Sequence, residues 1–402
     1  MPDSFFTIII PTRDRCDTLR YTLKTALSQE YENYRVIVSD NASTDGTRNM
    51  LEEISDPKLK YVNPGKRLSM SEHWEFALSH VTNGWVTILG DDDAILPGAL
   101  QTVNEIIIKT GTKAVRANGC AYAWPSLLDK SYGHLSLESG KGYRIVSSKK
   151  SLDNVLRGRM HYNKLPVLYN GGFVSYDLIS RAKSMTNDFY RSITPDVYSA
   201  IVFSLLAESY VYSYEALAIN GASIHSGGTA IFEVGKKNRS YDPAAKFWSE
   251  GGKVFHKDLP LINGRPVRSI PAIIYEAYLQ AAPFHDPERV NTTRQKQLQI
   301  ILSQSGPDPD EVNVWASQFA EMHGLTLDYA DGTIFDGVRK LSDTCKDYIS
   351  RALNVFTIMG DKKLPLKNVN EAALVAATLK RTNPTPLKLL LERFNKLVYL
   401  GK

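Results

Sequence analysis

The sequence predicts an α/β fold, in which a sheet flanked by helices is followed by a mainly helical C-terminal region. Short apolar, β-branched segments alternate with amphipathic segments over the first hundred residues, a pattern typical of strand–helix units. Acidic residues directly follow two of these predicted strands. Beyond about residue 235 the pattern becomes predominantly helical. These three observations favour a sheet that carries a ligand site at one edge.

The elements follow from the apolar pattern in chain order. Strands are predicted at 5–10, 34–38, 59–62 and 85–89. We expect a helix capped by Asp17, a second after the turn at 43–46, a third at 70–78 and a fourth after Pro97-Gly98. Further along, a helix at 197–207, a strand at 209–218 and a loop at 221–228 precede helices at 270–281, 294–303, 310–323, 338–353 and 369–379.

Length and composition indicate a globular chain of two domains. The 402 residues exceed one ordinary core, and 43% hydrophobic with 23% charged residues excludes a disordered chain. We place an α/β domain at 1–235 and a helical domain or extension at 236–402.

The charge balance argues against a nucleic-acid partner. A net charge of +5, from 48 basic and 43 acidic side chains, forms no dense basic stripe. Such a mild excess is compatible with anionic ligands such as diphosphates, or with an anionic membrane surface.

Several features predict a cytoplasmic protein. Cys16, Cys120 and Cys345 form no CxxC pair, which indicates free thiols in a reducing compartment. The N-terminus lacks the features of a signal peptide, and no apolar run approaches the roughly 20 residues that span a bilayer. The segment 386–402 is basic and amphipathic. Two interpretations stay open for it: packing on its own domain, or peripheral contact with the inner face of the cell membrane.

Acidic residues cluster where predicted strands end. Asp40 follows the second strand, and Asp91, Asp92 and Asp93 follow the fourth. Because ligands bind at the carboxyl ends of parallel strands, both sites should share one edge of the sheet. Three adjacent carboxylates repel one another, and a hard divalent cation such as Mg²⁺ or Mn²⁺ relieves that repulsion. The alternative is a solvated acidic turn ahead of a helix N-terminus.

Three ordered motifs carry a family resemblance. They are Thr7-Ile8-Ile9-Ile10-Pro11-Thr12-Arg13-Asp14-Arg15, Val38-Ser39-Asp40-Asn41-Ala42-Ser43-Thr44-Asp45-Gly46-Thr47, and Leu89-Gly90-Asp91-Asp92-Asp93 with Pro97-Gly98-Ala99-Leu100. Together they resemble the family 2 glycosyltransferases, closely over the first hundred residues and more loosely to about residue 230. The resemblance implies a GT-A type, Rossmann-like mixed sheet flanked by helices.

The resemblance also implies residue roles. The nucleotide-sugar would be bound by Pro11, Thr12, Arg13, Asp40, Asn41, Asp91 and Asp92. The metal, Mn²⁺ or Mg²⁺, would be held chiefly by Asp93, with Asp91 and His225. The commoner family pattern has Asp where Gly90 stands, so the division of roles among the three aspartates stays open.

Inverting members of the family need a general base ahead of a helix. Thr194-Pro195-Asp196-Val197-Tyr198 resembles that segment, which makes Asp196 the candidate. Taken without the family, Asp196 is equally a helix N-cap. His225, in Ile224-His225-Ser226-Gly227-Gly228, is either a site residue or a structural histidine. Lys66 and Arg67 are either phosphate contacts or surface charge, and Trp74 either lines the donor site or is a core aromatic; the second interpretation is favoured for all three.

These features favour a metal-dependent inverting glycosyltransferase. The resemblance implies a UDP-sugar as donor and, as acceptor, a saccharide or lipid-linked glycan of surface polysaccharide assembly. Two alternatives are a sugar-nucleotide nucleotidyltransferase and a non-catalytic scaffold that binds nucleotide-sugar or glycan. The first is disfavoured because the loop after the first strand, Pro11 to Arg15, contains no glycine. The sequence gives no prediction of oligomeric state.

Overall fold

The computed structural model describes residues 3–127, 133–138, 140–226, 252–285, 292–306, 308–327, 355–358 and 366–382. The strands are β1 (Phe6–Thr12), β2 (Tyr34–Asp40), β3 (Leu59–Val62), β4 (Trp85–Ile88), β5 (Ala94–Ile95), β6 (Ala114–Asn118), β7 (Cys120–Ala123), β8 (Leu135–Glu138), β9 (Tyr143–Ser147), β10 (Gly172–Ser175), β11 (Ser209–Ala216), β12 (Ala218–Ala222) and β13 (Val355–Ile358). The α-helices are α1 (Cys16–Leu27), α2 (Thr47–Glu52), α3 (Met70–Ser79), α4 (Ala99–Thr110), α5 (Ser148–Leu156), α6 (Tyr176–Met185), α7 (Pro195–Leu206), α8 (Ile270–Gln280), α9 (Arg294–Ser303), α10 (Pro309–His323) and α11 (Val369–Thr382).

The main sheet places the early strands side by side. Its order within the described residues is β3-β2-β1-β4-β10-β6-β11-β9. The first four strands are parallel, whereas β10 is antiparallel to both of its neighbours. The predicted mixed sheet flanked by helices is therefore confirmed. The apolar residues of β1, including Ile8, Ile9 and Ile10, are fully buried, as expected for a strand covered on both faces.

A smaller second sheet adjoins the acidic motif. Its order is β13-β8-β7-β12-β5, and β5 directly follows Asp93. Helix α11 packs against this sheet and against α1, with Val369, Ala372 and Ala376 fully buried. The late helix thus returns to the N-terminal half of the chain.

The helices beyond residue 252 share a core with the α/β part. Every residue of α7 from Val197 to Leu206 is buried, so this helix needs partners on all sides. Helix α8 packs on α7, and α9 and α10 continue the layer. One apolar cluster joins Ile9 and Trp74 of the α/β part to Trp315 of α10. The helical region contributes to one continuous interior, although the boundary predicted at 235 itself lies outside the described residues.

Most predicted elements are present, with three corrections. Asp17 does not cap α1: the N-cap is Arg15, and Asp17 lies in the first turn. The strand predicted at 209–218 ends at Ala216, and Ala218 begins β12. Gly221 therefore belongs to β12 rather than to the predicted loop. The helix predicted at 338–353 and the segment 386–402 lie outside the described residues.

Two further findings concern cysteines and membrane spans. Among the described residues, Cys16 and Cys120 are free cysteines. In the same part of the chain, no helix combines the length and apolar character that crossing a bilayer requires.

Candidate functional site

The site forms where β1, β2 and β4 end at one edge of the main sheet. Thr12 and Asp40 are paired in register at the last positions of β1 and β2. The amide of Leu89, just after β4, donates to the carbonyl of Ile9 and holds β4 beside β1. This pairing brings the two acidic segments of the sequence to the same edge, as predicted.

Asp40 is buried and fully engaged by its neighbours. One carboxylate oxygen accepts from the amide of Ser43, at 3.0 Å. The other accepts from the hydroxyl of Tyr61 at 2.9 Å and from the amide group of Asn63 at 3.2 Å. Asp40 therefore organises the ends of β2 and β3.

Asn41 directly follows Asp40, and Arg13 directly follows Thr12, the residue paired with Asp40. Both polar atoms of the Asn41 side chain bond the backbone of Leu68, each at 2.8 Å, and hold that segment against β2. His73 is buried with Nε2 2.9 Å from Ser39 Oγ. Burial, and next the positive charge of Arg13, lower the pKa of His73 to about 4. The imidazole of His73 is therefore neutral near pH 7 and lies against β2 beside Ser39.

The loop after β1 is tied to the loop after β2 by Asp14. Its backbone is left-handed, with φ of 52°. Its carboxylate accepts from the amide of Thr44 at 2.7 Å and from Arg67 Nη2 at 2.7 Å. Arg67 is thus a partner of a site loop as well as a surface charge.

Asp91 is held from both β1 and the loop that follows it. Its carboxylate accepts from Thr12 Oγ1 at 2.8 Å and from Arg15 Nη1 at 2.8 Å. Burial raises the pKa of Asp91, and the Arg15 guanidinium opposes that rise. Arg15 is therefore the internal counter-ion of the acidic motif.

Asp92 faces the late loop of the chain. One of its carboxylate oxygens accepts from the hydroxyls of Ser223 and Ser226, both at 2.6 Å. Its backbone carbonyl accepts from Trp124 Nε1 at 2.8 Å. The two serines that flank His225 thus link this loop to the acidic motif.

Asp93 is fully buried and closes the turn of the motif. Its two carboxylate oxygens accept from the amides of Gly90 and Gly221, each at 2.8 Å. The hydroxyl of Tyr169 also donates to it. Burial, followed by the charge of Asp92, raises the pKa of Asp93 to about 8.

Both glycines beside Asp93 are required by close packing. A Cβ at Gly90 would come within 2.8 Å of both Asp93 Oδ2 and the Tyr169 hydroxyl. A Cβ at Gly221 would overlap the carbonyl oxygen of Asp92. Tyr169 therefore gives a physical reason for glycine at position 90, where the commoner family pattern has Asp.

His225 lies at the border of the acidic motif. Its carbonyl accepts from Arg15 Nη2 at 2.6 Å, while its ring Nε2 lies 3.5 Å from Asp17 Oδ2. The ring also lines an open pocket of about 650 Å³ together with Asp14 and Asp45. The backbone of His225 is thus joined to the site through Arg15, and its imidazole is directed at Asp17.

Asp196 lies in the first turn of α7, one residue beyond Pro195, and is not the N-cap, which is Thr194. Its carboxylate accepts from the hydroxyl of Tyr162 at 2.8 Å. Burial raises the pKa of Asp196, and the hydrogen bond from Tyr162 opposes that rise. The backbone amides of Asp196 and Val197 and the charge of His161 oppose the rise as well, but burial outweighs these effects and makes the ionised form a stronger base.

The loop that carries Tyr162 and Tyr169 is anchored by Arg116 of β6. This guanidinium donates to the carbonyls of Asn163 and Asn170 at 2.5 and 2.6 Å. Burial, followed by the negative charges of Asp93 and Asp92, raises the pKa of Tyr169 well above the ordinary value. The acidic motif and the candidate base are thus both bonded by tyrosines of this segment, Asp93 by Tyr169 and Asp196 by Tyr162.

The acidic motif suits a divalent metal in its chemistry. It offers buried carboxylate oxygens, which hard cations prefer, and the raised pKa values of Asp91 and Asp93 show the cost of leaving their charge uncompensated. Each oxygen of Asp91 accepts one hydrogen bond from Thr12 or Arg15 and has a second lone pair beyond it. Within the described residues, no group of three or more His, Cys, Asp or Glu side chains is already arranged around a common ion position.

Several site residues escaped prediction from sequence. Arg15, Tyr162, Tyr169, Gly221 and Ser223 bond or pack directly against the predicted acids. Arg15 and Ser226 lie within the sequence motifs described above, so their position in those motifs already indicates that they are near the site. No sequence signal marked Tyr162 or Tyr169, which reach the site from an irregular loop. Trp74 is confirmed as a core aromatic, packed 5.5 Å from the ring of Tyr169.

Fold and site place the chain among α/β proteins that gather polar side chains at the carboxyl edge of a sheet. More particularly, residues 7–153 match the model of glycosyl transferase family 2. The match runs from β1 into α5.

Two curated bacterial proteins are similar to the same region. One is the GalNAc(5)-diNAcBac-PP-undecaprenol beta-1,3-glucosyltransferase of Campylobacter jejuni, 31% identical over 140 residues, which are 34% of this chain and 42% of the relative. The other is the UDP-Glc:alpha-D-GlcNAc-diphosphoundecaprenol beta-1,3-glucosyltransferase of Escherichia coli, 24% identical over 118 residues, 29% of this chain and 47% of the relative. The matches thus span less than half the length of each relative.

Solved structures with a loose likeness include two ligand complexes. S. aureus TarS 1-349 with UDP-GlcNAc has a TM-score of 0.47 at 13% identity, over 94% of this chain and 92% of that one. The mannosyltransferase PcManGT from Pyrobaculum calidifontis, with GDP-Man and Mn2+, has a TM-score of 0.41 at 16% identity, over 94% and 87%. We draw no functional conclusion from likeness at this level.

Proposed function

We propose that the chain is a metal-dependent inverting glycosyltransferase that moves a sugar from a nucleotide-sugar to a saccharide or lipid-linked glycan. The observation that carries this proposal is that one segment, between α5 and β10, bonds both acidic sites: Tyr169 donates to Asp93 of the acidic motif, and Tyr162 donates to Asp196. A donor and an acceptor site must adjoin in this way. The family match, and the names of two relatives as glucosyltransferases for undecaprenol-linked saccharides, support a glycosyltransferase.

The donor site is the edge formed by β1, β2 and β4. The ends of β2 and β3 around Asp40 would receive the base, with Tyr61 and Asn63 as neighbouring polar groups. Thr12 and Arg15 hold Asp91 in place for the ribose or the metal. A UDP-sugar is the proposed donor, in keeping with the UDP-Glc in the name of the E. coli relative.

The metal would be held by Asp93 with Asp91, and its identity, Mn²⁺ or Mg²⁺, is part of the proposal. When bound, such an ion offsets the charge that develops on the leaving diphosphate. Asp92, held by Ser223 and Ser226, keeps the late loop closed over the motif. These residues orient the donor and keep water from its reacting carbon.

Asp196 is the proposed base. Its carboxylate takes the proton of an acceptor hydroxyl while that oxygen bonds to the anomeric carbon. The bond from that carbon to the phosphate oxygen breaks, and the nucleotide diphosphate leaves with the electron pair. Attack opposite the leaving group inverts the configuration. Tyr162 orients the carboxylate through its hydrogen bond.

The first test is calorimetric titration of the folded protein with UDP, GDP, CMP and dTDP, each with and without Mn²⁺. We expect tight binding of one nucleotide, UDP, only when metal is present. Release of UDP from UDP-glucose would then separate an enzyme from a scaffold that only binds. Failure of all four nucleotides to bind would refute the donor site.

The division of roles within the motif needs a second titration. Asp93→Ala should abolish metal-dependent nucleotide binding, whereas Asp92→Ala should weaken it less, because Asp92 acts through two serines. Thermal unfolding of each variant controls for the loss of the Gly90 and Gly221 hydrogen bonds. Unchanged affinity in a folded Asp93→Ala variant would refute its assignment as the chief ligand.

A further inference from the structure

Glu276 is a buried carboxyl group that the proposed reaction does not use. It lies on α8 with no exposed surface. One oxygen accepts from the hydroxyl of Ser192 at 2.5 Å, and the other accepts from Gln280 Nε2 at 2.9 Å. The amide of His256 also donates to it. A carboxyl group so deep in an apolar layer costs stability unless its bonds serve the fold or the site.

The partner of Glu276 belongs to the segment that leads into α7. Ser192 Oγ accepts from the amide of Thr194 at 3.2 Å, and Thr194 is the N-cap of α7. The Ser192 carbonyl accepts from Ser71 Oγ of α3 at 2.7 Å. Glu276 thus fixes the residue that sets the start of α7, and Asp196 lies in the first turn that follows.

The segment ahead of α8 also reaches the site side of the molecule. Gly252 packs so closely on Ser69 that a side chain at position 252 would overlap its hydroxyl. Ser69 caps α3, the helix that carries His73 and Trp74. Residues from 252 onward therefore contact both helices that border the site.

We propose that Glu276 is a positioning residue, through which the helical region sets the orientation of the Asp196 carboxylate by way of Ser192 and the N-cap of α7. This role rests on the proposed function of Asp196 as base. Glu276 touches neither donor nor acceptor. It gives the helical region a task in the reaction that the family match, confined to residues 7–153, does not cover.

The test compares Glu276→Ala with Glu276→Gln and with Gln297→Ala in the full chain. Gln297 is the matched control: it is a buried polar residue of the same helical region, but it donates to the carbonyl of Leu156 and not to the α7 segment. The readouts are UDP release from UDP-glucose with Mn²⁺, and amide hydrogen exchange of residues 192–198.

We expect Glu276→Ala to lower kcat about 10- to 100-fold, as small misplacements of a reacting group do, with the KM for UDP-glucose within about twofold. Amide hydrogen exchange at residues 192–198 should become faster. Glu276→Gln keeps an oxygen acceptor for Ser192 and should restore most of kcat. Gln297→Ala should leave kcat and this exchange unchanged.

The outcomes separate the two proposals. Full activity of Glu276→Ala alongside an inactive Asp196→Asn overturns the role of Glu276 alone. An equal fall in kcat for Gln297→Ala also overturns it, because any loss of packing would then suffice. Undiminished activity of Asp196→Asn, or no UDP release from the wild type, overturns the proposed base or function and this role with it.

Discussion

At the scale of single residues, burial sets the chemistry of the acidic groups. Asp91, Asp93, Asp196 and Glu276 all have a pKa raised chiefly by desolvation. Each is nonetheless held by donors: hydroxyls, backbone amides, the Gln280 amide or one guanidinium. Burying four carboxyl groups costs folding free energy, which indicates that they serve a role other than stability.

The base assignment predicts a clear separation of binding from turnover. Asp196→Asn should bind UDP with Mn²⁺ as the wild type does, but should lower kcat by about 10²- to 10⁴-fold, the usual contribution of a general base. Tyr162→Phe removes only the hydrogen bond that orients the carboxylate, so its loss of kcat should be smaller. Steady-state UDP release measures both variants, and equal losses would argue that Tyr162 acts on substrate directly.

Glu276 also predicts a pH dependence of stability. Burial raises its pKa from 4.5 to about 7, so the folded protein holds a proton that the unfolded chain has released. Stability contributed by the protonated group is therefore lost as pH rises from about 4.5 to 7, by at most about 3 kcal/mol.

Glu276→Gln cannot ionise and should flatten this fall. Urea unfolding at pH 5 and pH 8 gives the free energy of unfolding of variant and wild type. From pH 5 to pH 8, the free energy of unfolding of the variant should rise relative to that of the wild type. The contributions of the other titrating groups are common to both proteins and cancel in the comparison. A difference between the two proteins that is the same at both pH values would contradict the raised pKa.

At the scale of elements, β12 decides the shape of the acidic motif. Its Gly221 lies directly against the carbonyl of Asp92 and donates to the carboxylate of Asp93. Gly221→Ala should destabilise the protein by about 3 kcal/mol, at the upper end for overpacking. Gly119→Ala is the control, since its Cβ would lie 3.5 Å from Glu138, an ordinary contact. Urea unfolding checks both, and equal costs would mean that β12 can move away.

The parallel strands and their acidic ends could be predicted because local pattern determines them. The run of Ile8, Ile9 and Ile10 specifies a buried strand, and the order of the parallel strands then places Asp40 and Asp91 at the same edge, with the end of β1 between them. The partners of these acids could not be predicted in the same way. Tyr169 comes from an irregular stretch and Gly221 from strand β12, both distant in sequence, and only tertiary packing shows that the Tyr169 hydroxyl fills the space beside Gly90. Helix α7 begins at Pro195, two residues before the predicted start at 197. Proline is favourable at the first position of a helix, which accounts for the earlier start.

At the scale of the whole molecule, the helical region completes an interior that the α/β part begins. Helix α7 is apolar on every side, and α8 covers one of those sides. The apolar cluster that includes Ile9 and Trp74 extends to Trp315 and Phe319 of α10. Because these residues share one core, we expect the described parts of the chain to unfold together.

A shortened chain of residues 1–235 tests this expectation. Without α8 and α10 it would expose the apolar side of α7 to water, at roughly 25 cal/mol for each Å² of apolar surface. We expect it to bind the dye ANS, to lose a sharp thermal transition by circular dichroism and to lose tight UDP binding, whereas the full chain shows one transition. A shortened chain that melts sharply and binds UDP would instead identify residues beyond 235 as a separate domain, and the coupling of Glu276 to Asp196 would then be unnecessary for the donor site.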